Sequence, residues 1–272
     1  MPELPEVETT VKGLNIIKNH KINKISIHTI NLRYKIPKSI KKLLINYKIS
    51  NIRRIAKYII LDLNNNYSLI VHLGMSGRLK CTNVDFTRDK HDHLILVLNN
   101  NKKLIFNDQR KFGFIDIVKT SNLNHQKYIL NLGVDALSIK LEPKFLHDKI
   151  SKSQVPIKQI LLNQKIIAGI GNIYASEILF DAKISPTTFG KDLKISKIMQ
   201  LTRSIRKILK KAIKFGGSSI RDYRSSDGTL GNFQSNFKVY NRDGKTIKGE
   251  KILKIVQYGR STFYCPKIQN NK

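Results

Sequence analysis

Ile49-Ser50-Asn51-Ile52-Arg53-Arg54-Ile55-Ala56-Lys57-Tyr58-Ile59-Ile60-Leu61-Asp62-Leu63-Asn64-Asn65-Asn66-Tyr67-Ser68-Leu69-Ile70-Val71-His72-Leu73 decides the fold of the first half of the chain. Short apolar, β-branched runs at 49–55, 58–63 and 68–73 alternate with turn residues, and Asn64-Asn65-Asn66 stands where a hairpin turn is expected. The same signature recurs at 22–30, 94–98, 104–107 and 114–118, with Asn99-Asn100-Asn101 at a second turn. Runs of this length and composition read as strands, and several in succession read as a β-sandwich or barrel-like domain. Ahead of them, Leu4, Val7, Val11, Leu14 and Ile17 recur at spacings of three and four, which predicts an amphipathic helix over 4–17.

After about residue 120 the pattern changes to helical. Segments 142–150, 156–163, 173–180 and 195–215 predict helices, the last being the longest and the richest in lysine. Gly216-Gly217-Ser218-Ser219 stops it, and Ser225-Ser226-Asp227-Gly228 begins a polar loop. The tail, with 237–240, a turn at 241–244 and 252–265, predicts a β-hairpin module. The expected fold class is α+β. An N-terminal helix plus β-sandwich domain spans 1–120, a helical domain spans 135–230, and a C-terminal β-hairpin spans 235–268.

Lys and Arg number 50 against 19 Asp and Glu, a formal net charge of +31. Such an excess concerns partners rather than fold, and nucleic acid is the most common polyanionic partner. Joint enrichment in Lys, Ile and Asn suggests A+T-rich coding, which discounts part of that signal. Cys81 and Cys265 make neither a disulfide framework nor a complete zinc motif. No run is apolar and long enough to span a membrane, and the acidic opening does not look like a signal peptide. A reducing, cytoplasmic setting is the expectation.

The opening, Met1-Pro2-Glu3-Leu4-Pro5-Glu6-Val7-Glu8, carries the most chemistry. Removal of Met1 leaves Pro2 as a secondary amine, a nucleophile able to form an iminium ion with an aldehyde-level carbon. Glu3 and Glu6 lie within one helical turn of it and supply acid–base partners. Taken singly, these residues are also ordinary helix-start chemistry. Lys57 stands at the head of a predicted strand. His72-Leu73-Gly74-Met75-Ser76-Gly77 places Met75 on a glycine-flanked turn, and Asp108-Gln109-Arg110-Lys111-Phe112-Gly113 puts a cation and an aromatic two residues apart. An apolar wedge, an aromatic wedge and a hydrogen-bonding arginine suit the gap left by an extruded nucleotide. His91-Asp92-His93 could pass for a metal site, but strand alternation puts His91 and His93 on one face without further ligands, which favours a DNA contact at His91. In Ala168-Gly169-Ile170-Gly171-Asn172-Ile173-Tyr174-Ala175-Ser176-Glu177 the glycines make a tight turn between two helices, with Asn172 as N-cap of the second. A dinucleotide-binding reading fails because a helix precedes the turn where a strand is required.

These separated blocks, in this order from residue 2 to about 267, resemble the formamidopyrimidine-DNA glycosylase family. The resemblance implies a bifunctional base-excision-repair DNA glycosylase and abasic-site lyase acting on duplex DNA that carries 8-oxoguanine, formamidopyrimidines or abasic sites. By resemblance Pro2 is the Schiff-base nucleophile and Glu3 the general acid, with Glu6 supporting it. Lys57 serves β-elimination and Arg260 δ-elimination, while Met75, Arg110 and Phe112 fill the void. Lys158 and Asn172 match phosphate-contacting residues of a helix–two-turn–helix motif, and 217–234 is the implied lesion-sensing loop. The family's terminal zinc finger has two Cys-x-x-Cys pairs. Here Cys265 remains, Ile268 stands at the second position of the last pair, and 245–251 has no cysteine. One thiolate cannot build a tetrahedral site, so no cofactor and a zincless finger are expected, with Ile247, Ile252, Leu253, Ile255 and Val256 packing in place of the metal. Arg260-Ser261-Thr262-Phe263-Tyr264 keeps the family's pattern. A nucleoid-associated monomer is expected. Two alternatives stay open: an endonuclease VIII-type enzyme for oxidised pyrimidines, and a noncatalytic DNA-binding remnant of the same scaffold.

Overall fold

The computed structural model describes residues 1–83, 85–218 and 231–270. Contacts divide the chain into two units, Met1–Leu130 with Phe215–Gln234, and Asn131–Lys214 with Ser235–Lys272. The domain boundary expected at 230 therefore runs through a segment, Phe215–Gln234, that groups with the first unit.

In the first unit, strands β1 (Ile22–Ile27), β2 (Ile49–Ile55), β3 (Tyr58–Leu63), β4 (Tyr67–His72), β5 (Arg78–Asn83), β6 (Asp92–Leu98), β7 (Lys102–Asn107) and β8 (Phe114–Lys119) form two four-stranded sheets. Their orders are β1-β6-β7-β5 and β2-β3-β4-β8, antiparallel throughout. Alternate residues of both sheets, such as Ile25, Leu96 and Leu104 from one and Ile59, Leu61 and Leu69 from the other, share one apolar core. Helix α1 (Leu4–Gly13) adds Val7 and Val11 to that core, and Leu14 and Ile17 follow in a single 3-10 turn. The α-helix stops at Gly13, short of the predicted 4–17, since glycine weakens a helix where the apolar stripe alone must hold it. Asn66 and Asn101 adopt positive φ and close the β3–β4 and β6–β7 hairpins. Short helices α2 (Ile40–Leu44) and α3 (Lys127–Leu130) and a 3-10 helix over Thr120–His125 also belong to this unit. Strand β5 had no sequence signal: it is an edge strand in which polar residues surround Leu79 and Cys81, and its pairing with β7 alone defines it.

The second unit contains α4 (Pro143–Ile150), α5 (Ile157–Leu162), α6 (Asn172–Asp181) and α7 (Ile195–Lys214). Its short strands are β9 (Val134–Asp135), β10 (Ile167–Ala168), β11 (Thr246–Ile247), β12 (Glu250–Lys251), β13 (Leu253–Gln257) and β14 (Arg260–Tyr264). Helix α6 is buried from Ile173 to Leu179 and touches α5, α7 and β14. It is polar enough to anchor its surroundings as well: the buried Glu177 carboxylate accepts the backbone N–H groups of Lys238, Val239 and Tyr240 at 2.9, 3.0 and 2.8 Å. The strand predicted at 237–240 is absent for this reason, because the amides that a ladder would use converge on one carboxylate. Among the described residues, no helix is long and apolar enough to cross a membrane.

Replacing Glu177 with Ala strands three buried amides. The expected result is loss of hydrogen-exchange protection at Lys238–Tyr240 and a stability loss of at least about 1–3 kcal/mol, the usual cost of leaving even one such group unpaired. Unchanged protection at those amides would contradict the anchoring role.

Candidate active site

The head of α1 is organised by two carboxylates. Glu3 is the N-cap and Glu6 the third helical residue, and together they form a reciprocal capping box, with Pro5 in the first turn. Both side chains are buried, as is Pro2. Glu6 Oε2 accepts the Glu3 N–H at 2.9 Å. Its other oxygen accepts the Ser218 backbone N–H at 2.7 Å and the Ser218 hydroxyl at 3.0 Å. Gly217 has φ +78°, and a Cβ there would stand 2.9 Å from Glu6 Oε1. Ser218 in turn bridges Asn232, so the described ends of the glycine-rich segment meet at Glu6. Of the lesion-sensing loop expected over 217–234, residues 219–230 lie outside the described residues.

Lys57 is placed by the hairpin beneath this helix. Ile55 pairs with Tyr58, which leaves Ala56 and Lys57 as a two-residue turn, with Ala56 at φ +51°. Lys57 thus precedes β3 on the turn itself and is largely buried. Arg54, which the sequence did not single out, joins turn and helix. Its Nε donates to Glu8 Oε2 at 2.7 Å, and Nη1 donates to the Ala56 carbonyl at 3.0 Å. No local pattern marks this pair, since 46 residues separate its members. His72 stacks on Phe114, with Tyr58 beside both. Burial, followed by the charges of Lys57 and Arg33, lowers its pKa from 6.5 to about 4, so the imidazole is neutral at pH 7. Nδ1 accepts the Gly74 N–H at 3.2 Å, which puts the remaining proton on Nε2.

The three void-filling candidates lie on two loops of the first unit. Met75 is on the turn after β4 and is 41% exposed; Phe112 is between β7 and β8 and is 44% exposed. The exposed Arg110 lays its guanidinium over the Phe112 ring at 4.8 Å. The expected alternation of His91 and His93 does not hold. His91 is in the turn before β6, and a register shift between Asp92 and Leu94 interrupts the pleat. His91 remains half-buried, whereas His93 is buried and its Nε2 donates to the Asp108 carbonyl at 2.8 Å.

In the second unit, Lys158 and Asn172 meet on β14. Lys158 is fully buried; its Nζ donates to the Ser261 carbonyl at 3.0 Å and to Thr262 Oγ1 at 2.6 Å. Asn172 Nδ2 donates to the same Ser261 carbonyl at 3.0 Å. Asn172 is the first residue of α6 rather than its cap, because Gly171 takes the extended N-cap position and frees the amide side chain for Ser261. These side chains, expected to meet phosphates, clamp the strand that begins with Arg260. Arg260 is exposed at the tip of the hairpin, where Tyr258 and Gly259 turn the chain with positive φ.

Comparisons with known proteins cover nearly the whole chain. Residues 1–115 match the Formamidopyrimidine-DNA glycosylase N-terminal domain and residues 132–224 the Formamidopyrimidine-DNA glycosylase H2TH domain. The chain belongs to the formamidopyrimidine-DNA glycosylase family. A formamidopyrimidine-DNA glycosylase of Rickettsia bellii is 43% identical over 272 residues, covering 99% of each chain. One from Zymomonas mobilis is 43% identical over 271 residues, covering 99% of this chain and all of the relative. Among solved structures, the Lactococcus lactis enzyme in complex with DNA containing an abasic site aligns with a TM-score of 0.91 at 36% identity, covering 99% of this chain and 100% of the other. The same enzyme with DNA containing an oxidised pyrimidine gives 0.91 at 35%, with the same coverage. The α+β class, with a leading helix, a β-sandwich and a helix–two-turn–helix domain, is that of the family. The protein is a DNA glycosylase of base-excision repair, of the type that also carries abasic-site lyase activity.

The tail does not fit the zinc ion usual in this family. From residue 235 onward there is one cysteine and no histidine. Among the described residues no three of His, Cys, Asp or Glu cluster as metal ligands. Val239, Ile252 and Phe263 instead form a small core, with Phe180, Tyr240 and Ile247 packed on it. Of the apolar residues expected there, Leu253 and Val256 are exposed and lie outside this core. Beside the core, the buried Gln269 accepts the Cys265 N–H at 2.8 Å and donates to the Ile184 carbonyl at 2.9 Å.

The lowered pKa of His72 gives a pH prediction. Between 6.5 and about 4 the unfolded chain binds a proton at this residue and the folded chain does not. Stability from this site is therefore complete above pH 6.5 and is lost as pH falls towards 4. Urea-unfolding midpoints at several pH values should fall less steeply for a His72→Gln variant than for the parent; parallel curves would contradict the assignment.

Proposed function

We propose that this enzyme excises oxidised purines, 8-oxoguanine and formamidopyrimidines, from duplex DNA through a Schiff base at Pro2 followed by β- and δ-elimination. The observation that carries the reading is Pro2 at the head of a helix whose first turn holds two buried carboxylates. That helix packs on the hairpin whose turn presents Lys57. With Met1 removed, the Pro2 nitrogen attacks C1′, and the glycosidic bond breaks as the base takes a proton. Glu3 is the acid that assists base departure or sugar opening. Glu6 supports the site by position, since both its oxygens already hold N–H or O–H donors. The iminium acidifies the C2′ proton. Its removal, assisted by Lys57, expels the 3′ phosphate, and a second elimination assisted by Arg260 expels the 5′ phosphate.

The net charge of +31 supports duplex DNA as the partner and the nucleoid as the place of action. One enzyme acting on one extruded nucleotide needs no second subunit, so it works as a monomer. Asn172, Lys158 and Thr262 brace the strand bearing Arg260, and the apolar core with Gln269 stands in for zinc. The likeness to the Lactococcus enzyme bound to oxidised-pyrimidine DNA favours a second, weaker substrate class.

Two measurements test this reading. Borohydride should trap a covalent adduct with an 8-oxoguanine:cytosine duplex in the parent protein, with less on an oxidised-pyrimidine duplex and none in a Pro2→Gly variant. A folded, DNA-binding parent that traps nothing on either duplex would refute the Schiff-base mechanism. Elemental analysis of the purified protein should find zinc far below one equivalent, and chelator should leave cutting unchanged; stoichiometric zinc would refute the zincless hairpin.

A further inference from the structure

The loops that carry Met75, Arg110 and Phe112 each cross between the two sheets, from β4 to β5 and from β7 to β8, and buried hydrogen bonds join them. Ser76, next to Met75, is 4% exposed, and its hydroxyl donates to Asp108 Oδ1 at 2.6 Å. Asp108 is fully buried and opens the other loop. The Arg110 N–H returns to Ser76 Oγ at 3.0 Å and approaches Asp108 Oδ1 at 3.3 Å. At the far end of that loop the Gly113 N–H donates to Asp108 Oδ2 at 2.8 Å. One carboxylate thus gathers both ends of the Arg110–Phe112 loop and the hydroxyl beside Met75.

The backbones are as close as glycine allows. A Cβ at Gly74, which has φ +62°, would lie 2.4 Å from Gly113 N and from the Phe112 carbonyl carbon. One at Gly113 would lie 2.7 Å from the His72 carbonyl oxygen. Beneath them, His93 Nε2 holds the Asp108 carbonyl, and the Asp108 N–H donates to the His91 carbonyl at 3.0 Å. Ser76, Asp108, His93 and Gly113 are buried, while the Met75, Arg110 and Phe112 side chains are exposed.

We infer that Ser76 and Asp108 are positioning residues that lock the Met75 and Arg110–Phe112 loops into one rigid wedge. The inference rests on the reading that those three side chains fill the space of the extruded nucleotide. Two mobile loops would each lose conformational freedom on entering the base stack, side chain by side chain. A wedge already locked by the fold avoids most of that loss. It can then oppose restacking of the extruded nucleotide. The Arg110–Phe112 stack extends the same preorganisation to the side chains.

Single strands carrying an abasic site have no orphaned base and no opposing stack, so they have no use for a wedge. The test is the ratio of single-turnover cutting rates on abasic duplex and abasic single strand, with melting temperature measured for each variant. In Ser76→Ala the ratio should fall about tenfold, the size of one buried hydrogen bond. The near-isosteric Ser76→Cys, a weaker donor and the safer variant for folding, should fall between. 2-Aminopurine placed beside the lesion should brighten more slowly in the same order. Met75→Ala should lower the ratio as well. If both rates fall alike in the Ser76 variants, or neither falls, the lock is overturned while a Met75 effect keeps the void-filling reading. If Met75→Ala leaves the ratio at the parent value, the void-filling reading fails and the lock fails with it.

Discussion

The buried Glu6 carboxylate is the interaction on which the catalytic unit depends. It accepts the N–H of Glu3, which fixes the start of α1, and the N–H and hydroxyl of Ser218, more than two hundred residues away. A carboxylate is tolerable inside a protein only when its lone pairs are satisfied, so each of these donors is a condition for the others. Gly217 must lack a side chain to let them converge. The consequence is that the chain end carrying Pro2, the proposed nucleophile, and both described ends of the glycine-rich segment share one anchor.

The second unit repeats the device with other residues. Glu177 gathers three amides of the finger's base, and Lys158 with Asn172 holds the Ser261 carbonyl next to Arg260. Each of these polar side chains comes from the helical part of the unit and ends on the hairpin. Metal ligation is one way to stiffen a small hairpin whose core is too thin to hold it. In this tail an apolar triad, Gln269 and three polar side chains hold the hairpin through many weaker contacts.

Exposure separates the residues proposed to touch DNA from those that hold them in place. Met75, Arg110, Phe112 and Arg260 are exposed and stand at tips of turns, as recognition demands. Arg54, Ser76, Asp108 and Lys158 are buried or largely so and spend their polarity on backbone and side-chain partners. With an excess of 31 positive charges, nonspecific attraction to DNA is abundant. What a repair enzyme lacks without these supports is geometry at the lesion.

The order of strands and helices was legible in the sequence wherever an apolar period ran for a full element. Strands β2 and β3 were read to the residue, and Asn-rich turns fell where positive φ is needed. The catalytic candidates Pro2, Glu3, Glu6 and Lys57 were legible because their chemistry is local. Edge strand β5, the interrupted pleat at Asp92 and the missing strand at 237–240 were not, because pairing and side-chain capture override local preference there. Nor were the partners of Glu6, Arg54, Asp108 and Lys158, which are drawn from segments 212, 46, 32 and 104 residues distant. Sequence alone determined which groups could react and which backbone could bend. Tertiary structure decided which polar side chains were buried together, because only a closed core makes an unpaired carboxylate or ammonium costly enough to find a distant partner.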